Sequence, residues 1–339
     1  MVALNHNRDP FQTLFKNQPS VEHPILSNRT APLEQIRSST KEYFNLHPID
    51  KIYPIHQHSI EKIVKIDGID PRYYAIYNQQ LGKGSYSQVY LGQDIDTLEL
   101  LAVKIQPYLE PGDIEHEVKQ LAILNDFRGD ISTHEQPQKM HYLFSKYFAG
   151  ITVEQLYSAD LKLKEQEILD IIRSSFYALK DIHDRNVVHN DVHEGNLIFN
   201  PTDQKSHWVD MAFSLHLNPG VSAFKIKTHP LESPPNHKAP ESNTERSYAT
   251  DVYQLGFMSL RLMLILSERD MALKNKYRDS RELCYETLQK NTPSITSGTP
   301  EARVYRLLFK MMAPDAHQRP TLKAALEELE LSLSQHAKG

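Results

Sequence analysis

The sequence contains a single cysteine, Cys284, among 339 residues, which excludes an intrachain disulfide framework and favours a reducing compartment. Neither charge sign dominates, since 38 Lys and Arg residues stand against 43 Asp and Glu residues, so no basic bias indicates a nucleic-acid partner. No apolar run reaches the ~18 residues of a membrane-spanning helix, and the first residues lack a charged segment followed by an apolar core. We therefore expect a soluble, cytoplasmic protein without a transmembrane segment.

Proline interrupts the first part of the chain, while the remainder is apolar enough for a sizeable core. Hydrophobic residues make up 40% of the sequence, which fits one two-lobed domain or two small ones. Residues 1–70 leave room for two short helices, at 33–43 and 59–66, because prolines break any longer element: Pro10, Pro19, Pro24, Pro32, Pro48 and Pro54. We interpret residues 1–70 as a partly ordered extension that packs on the main domain and serves regulation or docking through a regulatory partner.

The stretch 189–196, His-Asn-Asp-Val-His-Glu-Gly-Asn, is a polar loop between two short apolar stretches that are predicted to be strands. Within it a carboxylate, Asp191, and an amide, Asn196, lie five residues apart, and a second carboxylate, Asp210, follows. Phosphoryl transfer needs a group that orients the attacking hydroxyl, as Asp191 could, and oxygen ligands for magnesium, as Asn196 and Asp210 could supply. Taken alone, the stretch is equally compatible with an ordinary hydrogen-bonded loop.

A glycine-containing hairpin precedes this loop in the sequence. Gly82, Lys83 and Gly84 lie between strand-like stretches, and the glycines let the turn approach phosphate groups closely. On the returning strand, Val89 is placed to pack against a nucleotide base. The hairpin alone is a weak indication of nucleotide binding, because any tight hairpin uses such glycines.

Lys104 lies in an apolar, strand-like run, where an unpaired charge is costly. The lysine therefore needs an acidic partner, and Glu115 and Glu117 are both available on a helix predicted over 113–125. Glu117 is the better candidate, because it shares a helix face with the apolar Leu121 four residues later. The alternative is an exposed ion pair of little energetic value.

In order and spacing, these motifs resemble the protein-kinase superfamily. The resemblance implies an α+β bilobal fold, with a small antiparallel sheet and one helix in residues 71–148 and a larger, mainly helical lobe in residues 149–335. It implies an enzyme that uses ATP and Mg²⁺, or Mn²⁺, to phosphorylate a protein substrate, with Ser or Thr favoured over Tyr. Catalytic roles are implied for Lys104, Glu117, Asp191, Asn196 and Asp210. Of these, Asn196 and Asp210 are the implied metal ligands. Nucleotide contacts are implied for Gly82, Lys83, Gly84, Val89, Ala102, Lys104, Ser145, Lys146, Phe148 and Ile198.

Further markers resemble the large lobe of that superfamily. Glu241 ends an Ala-Pro-Glu tripeptide, and Arg319 matches the arginine that pairs with this glutamate in the superfamily, so the resemblance implies an ion pair between them. A buried Glu without its cation would be strongly destabilising. Asp251 matches the buried aspartate that braces the catalytic loop. An amphipathic helix is predicted over 165–184, and a core helix, too short to span a membrane, over 257–266.

Two departures from the family pattern bear on activation. Asn190 replaces the arginine that binds an activation-segment phosphate, so activity is expected without phosphorylation of that segment. Met211 and Ala212 follow Asp210 in place of Phe and Gly, and the lost backbone freedom is expected to restrict flipping of this segment.

A third departure leaves the substrate class open. His193 replaces a lysine, and the pattern His-x-Asp-x-His-x-x-Asn also resembles aminoglycoside and choline kinases. Glu241, Asp251 and Arg319 instead favour a protein kinase. A small-molecule phosphotransferase is therefore the first alternative, and a pseudokinase that binds a partner without turnover is the second.

The linker between the predicted lobes adds a detail of the adenine pocket. By resemblance, Ser145 guards the back of that pocket, where its small side chain leaves a cavity. Bulky N6-substituted ATP analogues are therefore expected to be accepted.

The composition and the amino-terminal extension resemble effector kinases of intracellular bacterial pathogens. The acidic, serine-containing stretch 327–334 resembles the secretion signals of that group, and a host protein would then be the substrate. The same stretch also fits the solvated end of a final helix.

Overall fold

The chain forms two compact units, which divide between Phe148 and Ala149. We call the described residues before this division the small lobe and those after it the large lobe. Cys284 and the first 31 residues of the extension lie outside the described residues. The computed structural model describes residues 32–57, 59–84, 87–108, 111–135, 138–158, 163–218, 220–221, 223–225, 238–267, 276–277, 280, 283, 286–287 and 300–336.

An antiparallel seven-stranded sheet organises the small lobe, in the order β1-β2-β3-β4-β5-β7-β6. Strand β2 also contacts β6, so the sheet curls. The first two strands come from the extension and belong to the same sheet as the strands predicted after it. The strands are β1 (Ile52–Gln57), β2 (Ile60–Ile66), β3 (Arg72–Lys83), β4 (Gln88–Asp94), β5 (Leu100–Pro107), β6 (Phe127–Glu135) and β7 (Gln138–Lys146).

The predicted helix at 59–66 is wrong, because this segment is strand β2. Ile60 and Ile63 are three residues apart, which imitates a helical face, but the segment is rich in β-branched residues that favour strands. Backbone pairing on both sides decides the outcome: Val64 lies opposite Ile52 of β1 and Tyr74 of β3.

Helix α1 (Pro32–Leu46) confirms the predicted helix at 33–43 and extends it. Proline is well placed at the first helical position, where its missing N–H costs nothing. Leu33, Ile36 and Phe44 line one face of the helix and are buried against the sheet. They form one core cluster with Ile55, Ile60, Ile63, Ala75, Tyr77, Leu91 and Ile95. The small lobe thus contains α1 in addition to the one expected helix, α2 (Pro111–Ile123).

The large lobe is mainly helical, as expected, with short strands around the polar loop. Its helices are α3 (Val153–Ser158), α4 (Glu165–His183), α5 (Tyr248–Ser267), α6 (Pro300–Met311) and α7 (Leu322–His336). Its strands are β8 (Ile151–Thr152), β9 (Val187–Val188), β10 (Leu197–Asn200), β11 (Lys205–Trp208), β12 (Leu215–His216), β13 (Ala223–Lys225) and β14 (Glu245–Ser247). Helices α4 and α5 confirm the predicted helices at 165–184 and 257–266. Among the described residues, no helix combines the length and apolar character that crossing a bilayer requires.

The acidic stretch near the carboxyl end lies in α7 and has structural partners. Glu330 binds Arg173 of α4 through both carboxylate oxygens, at 2.6 and 2.9 Å. Glu328 binds Lys310 of α6 at 2.7 Å, and Leu329 and Ser332 are buried. Residues of this acidic stretch therefore connect α7 to helices α4 and α6.

His141, in β7, is a buried histidine of the small lobe. Its Nδ1 lies 3.0 Å from the Ser132 hydroxyl, while Nε2 has no hydrogen-bond partner within the described ranges. Burial lowers the pKa of His141 to about 4, and the positive charges of Lys104 and Lys139 contribute to this shift.

We expect His141 to weaken the fold in mild acid. As the pH falls from 6.5 towards 4, the unfolded chain gains a proton at His141 that the folded chain does not, which costs up to about 3 kcal/mol. His141→Gln should therefore lose less free energy of unfolding over this range than the wild type, as measured by denaturant titration at several pH values. His216→Gln, at an exposed site, is the control. Equal pH dependence in His141→Gln and wild type would contradict this assignment.

Candidate active site

Lys104 of β5 and Glu117 of α2 form an ion pair inside the small lobe. The lysine Nζ lies 2.8 and 3.0 Å from the two carboxylate oxygens of Glu117. The side chains are only 15% and 7% exposed. Glu117 is therefore a partner of Lys104, as predicted, and the alternative of an exposed ion pair is wrong.

The other predicted nucleotide contacts of the small lobe surround this pair in the sheet. Val89 lies directly opposite Lys104, and Ala102 lies directly opposite Ser145. Opposite residues of an antiparallel pair, and residues two apart on one strand, share a face, so these four side chains lie on one face of the sheet. The Ser145 hydroxyl donates to the Ala102 carbonyl at 3.4 Å.

The glycine hairpin joins β3 to β4. Gly82 pairs with Val89 and Lys83 with Gln88. The Gly84 N–H donates to the Ser87 carbonyl at 2.8 Å, and this hydrogen bond continues the backbone pairing beyond the ends of β3 and β4. At the other end of this lobe, the Lys146 Nζ lies 5.1 Å from the centre of the Phe148 ring.

In the large lobe, Asp251 braces the polar loop from helix α5. Its carboxylate accepts the backbone N–H groups of His189 and Asn190, both at 2.7 Å. The His183 Nε2 lies 2.9 Å from the same carboxylate. Asp251 is fully buried, so these bonds fix the start of the loop without competition from water, and the predicted brace is confirmed.

Asp191 and Asn196 meet across the loop. The Asn196 Nδ2 donates to the backbone carbonyl of Asp191 at 3.0 Å and to its Oδ2 at 2.9 Å. The other carboxylate oxygen of Asp191, Oδ1, is buried and has no hydrogen-bond partner among the described residues. The Val209 N–H donates to the Asn196 carbonyl at 2.9 Å, which brings the next residue, Asp210, alongside the loop. Ile198, in β10, lies opposite Thr152 and His207.

His193 sets the electrostatics of Asp191. Burial alone would raise the pKa of the Asp191 carboxyl, but its interactions with His193, first of all a hydrogen bond, and with His189 together outweigh burial and lower the pKa. Burial would likewise lower the pKa of His193, and the interaction with Asp191 raises it instead. Asp191 is therefore held as a carboxylate.

The sequence analysis assigned no role to three charged residues near the loop. Arg261 and Glu194 form a buried ion pair between α5 and the loop. Arg261 interrupts an apolar helix, and a charge in such a position indicates a buried partner, so the sequence did contain this information. Arg246, in β14, is also buried; burial lowers its pKa, and the charge of Asp191 opposes the shift.

The family model described as the protein kinase domain matches residues 75–329. The chain belongs to the protein kinase family. The kinase is 24% identical over 276 residues to the "Membrane-associated tyrosine- and threonine-specific cdc2-inhibitory kinase" of Drosophila melanogaster, an alignment that covers 76% of this chain and 47% of that protein. The chain thus spans about half the length of this relative. It is 26% identical over 258 residues to an Acanthamoeba polyphaga mimivirus protein named as a serine/threonine-protein kinase, covering 71% of this chain and 88% of that protein. It is also 28% identical over 150 residues to human mitogen-activated protein kinase kinase kinase 1, covering 41% of this chain and 10% of that protein.

Glu241 and Arg319 of the kinase form the predicted ion pair. The guanidinium donates from Nη1 and Nη2 to the two carboxylate oxygens at 2.7 and 2.8 Å. Arg319 also donates to the backbone carbonyls of Ala249 and Ala313 at 2.8 Å. One buried side chain thus joins three segments of the large lobe.

Asn190, which stands in place of an arginine, connects the polar loop of the kinase to the segment after Asp210. Its Nδ2 donates to the Phe213 carbonyl at 3.0 Å. Beyond Phe213, Leu215 and His216 pair with Val188 and Val187, so backbone hydrogen bonds also hold this segment. Asn190 and Asp210 have φ values of 64°, in the left-handed region that Asn and Asp tolerate better than most residues.

The residues of the large lobe fit a magnesium ion. Asn196 uses its amide nitrogen on Asp191, which leaves its amide oxygen as the group for a cation, and Asp210 offers an exposed carboxylate. In the part of the chain that the structure describes, no three His, Cys, Asp or Glu side chains form a metal-binding group. Magnesium commonly takes only one or two protein ligands and completes its shell with water and phosphate oxygens, so this pair suffices.

Proposed function

We propose that this kinase transfers the γ-phosphate of ATP, with Mg²⁺, to a Ser or Thr hydroxyl of a protein substrate, and that it needs no phosphorylation of its activation segment. The observation that carries the proposal is the Asp191 carboxylate. One of its oxygens accepts a hydrogen bond from Asn196, and the other is buried without a hydrogen-bond partner in the part of the chain that the structure describes. This arrangement is suited to accepting the proton of a substrate hydroxyl.

The remaining residues supply positioning and charge. Asn196 and Asp210 would hold Mg²⁺ or Mn²⁺, which supplies charge neutralisation on the phosphates when bound. Lys104, fixed by Glu117, would hold ATP phosphates. The hairpin and the shared sheet face would take the nucleotide, with contacts from Gly82, Lys83, Gly84, Val89, Ala102, Ser145, Lys146, Phe148 and Ile198.

Two observations support the finer parts of the proposal. The name of the mimivirus relative gives serine/threonine specificity and that of the Drosophila relative gives tyrosine and threonine specificity, so both names include threonine. Asn190 holds the segment after Asp210 through the Phe213 carbonyl, and this direct bond supports order without a phosphate.

The deciding experiment is transfer of labelled γ-phosphate from ATP in the presence of Mg²⁺. Wild type is offered itself, general protein substrates, and a panel of small alcohols and aminoglycosides. We expect label in Ser or Thr of protein, and we expect Asp210→Ala to abolish the transfer while Asp181→Ala, an exposed carboxylate on α4, preserves it. Label only in a small molecule would establish the small-molecule phosphotransferase that His193 permits. ATP binding without transfer would favour a pseudokinase.

A further inference from the structure

His193 contacts the carboxylate that the proposed function depends on. Its Nε2 lies 3.4 Å from Asp191 Oδ2, and the two side chains are 19% and 6% exposed. A contact this well shielded from water has more influence on a carboxylate than a surface contact has.

The backbone of the loop determines which ring nitrogen of His193 carries the proton. The Gly195 N–H donates to His193 Nδ1 at 3.1 Å, so Nδ1 must present its lone pair. In a neutral imidazole the proton is then on Nε2, the atom that faces Asp191. The Gly195 hydrogen bond therefore directs an N–H of His193 at the carboxylate.

Gly195 also packs so closely against the imidazole of His193 that a side chain at this position would not fit. A Cβ atom at this position would lie 2.9 Å from His193 Cε1 and 3.1 Å from Nδ1, and 3.3 Å from Glu154 Oε2 on α3. These separations are shorter than ordinary van der Waals contacts, so any side chain at residue 195 would displace the His193 ring or the Glu154 carboxylate.

The two oxygens of Asp191 consequently have different surroundings. Oδ2 faces donors from both Asn196 and His193, whereas no described residue hydrogen-bonds to Oδ1. Donors on one oxygen fix the rotation of the carboxylate and direct the other oxygen to a substrate hydroxyl. In the transfer step, the substrate oxygen bonds to the γ-phosphorus, the bond from that phosphorus to ADP breaks, and the hydroxyl proton passes to Oδ1.

We propose that His193 is a positioning residue for phosphate transfer: held by the Gly195 N–H, it donates from Nε2 to Asp191 Oδ2 and so presents Oδ1 to the substrate hydroxyl. This inference rests on the proposed function, because it assigns His193 a part in the same reaction. His193 itself does not touch the reacting atoms.

The kinetic test uses side chains that keep or remove the two hydrogen bonds. His193→Leu removes both and should lower kcat by about 10²-fold, the scale of a correctly placed general base, with KM for ATP near that of the wild type. His193→Gln has an amide oxygen that can accept from Gly195 and an amide nitrogen that can donate to Asp191, so it should recover most of kcat. His216→Gln, an exposed histidine on β12, is the matched control and should behave as wild type.

A double-mutant cycle connects Gly195 to His193. Gly195→Ala removes no functional group but displaces the imidazole of His193. It should therefore lower kcat in the wild-type background and have little further effect in His193→Leu. Independent, multiplicative losses would overturn the proposal, as would wild-type kcat in a folded His193→Leu variant.

A spectroscopic readout does not depend on turnover. In ¹⁵N-histidine spectra of the full chain, the signals absent from His193→Gln belong to His193, and they should show a protonated Nε2 and an unprotonated Nδ1. A proton on Nδ1 alone would overturn the proposal whether or not the chain transfers phosphate. Failure of every acceptor in the transfer assay would instead refute the proposed function.

Discussion

A chain that lacks residues 1–70 and begins at residue 71 is expected to lose the fold of its small lobe and all phosphate transfer. The truncation removes six buried apolar side chains from the core cluster that α1 forms with the sheet: Leu33, Ile36, Phe44, Ile55, Ile60 and Ile63. At about 1.5–3 kcal/mol for each side chain, the lost burial is on the order of 10 kcal/mol, comparable with the whole stability of a typical domain.

Circular dichroism melting and gel filtration of residues 71–339 test this expectation. The matched control is residues 32–339, which retains α1, β1 and β2 and should melt cooperatively. Strand β3 would lose its neighbour β2 in the shorter chain, and the exposed edge should promote aggregation. A monomeric, cooperatively melting and active 71–339 chain would show that the extension is dispensable.

Replacing Arg319 with leucine should destabilise the large lobe by about 3–5 kcal/mol, because it leaves the Glu241 carboxylate largely buried without its cation. The substitution also removes the guanidinium N–H groups that donate to the backbone carbonyls of Ala249 and Ala313. The whole free energy of unfolding of a typical domain is only about 5–15 kcal/mol, so a loss of this size should lower the folded fraction of the kinase.

Denaturant unfolding of single and double variants measures this effect. Arg173→Leu breaks a pair with the same two-oxygen geometry, to Glu330, but its side chains are 47% and 32% exposed, so it should cost no more than about 1 kcal/mol. Adding Glu241→Leu to Arg319→Leu should recover part of the loss, since no unpaired charge then remains. Equal losses for Arg173→Leu and Arg319→Leu would exclude burial as the cause.

Sequence reasoning succeeded where a chemical requirement had one local solution. Lys104 lies in an apolar strand and needs a carboxylate, and the pairing with Glu117 follows from the helix face. Asp251 and the Glu241–Arg319 pair were found through the family resemblance and are present in the structure.

One prediction failed, and one feature of the site was not predicted, because both depend on hydrogen-bond partners that are set by the folded structure. Residues 60–66 combine the spacing of a helical face with β-branched residues that favour a strand, and the pairing with strands β1 and β3 decides between the two. The direction of the His193 proton depends on one backbone N–H of the folded loop, that of Gly195. Residue type and spacing alone settle neither the strand at 60–66 nor the direction of the His193 proton.

Strand β1 gives the small-lobe sheet an edge that is poor at recruiting other chains. Pro54 lies in the middle of this strand and has no N–H to donate, and the pairing register shifts between Pro54 and Gln57. An incoming strand would meet a missing donor and an irregular backbone, where a regular edge offers a template for fibrils. The segment that completes the core thus also makes this edge of the sheet a poor template for association with other chains.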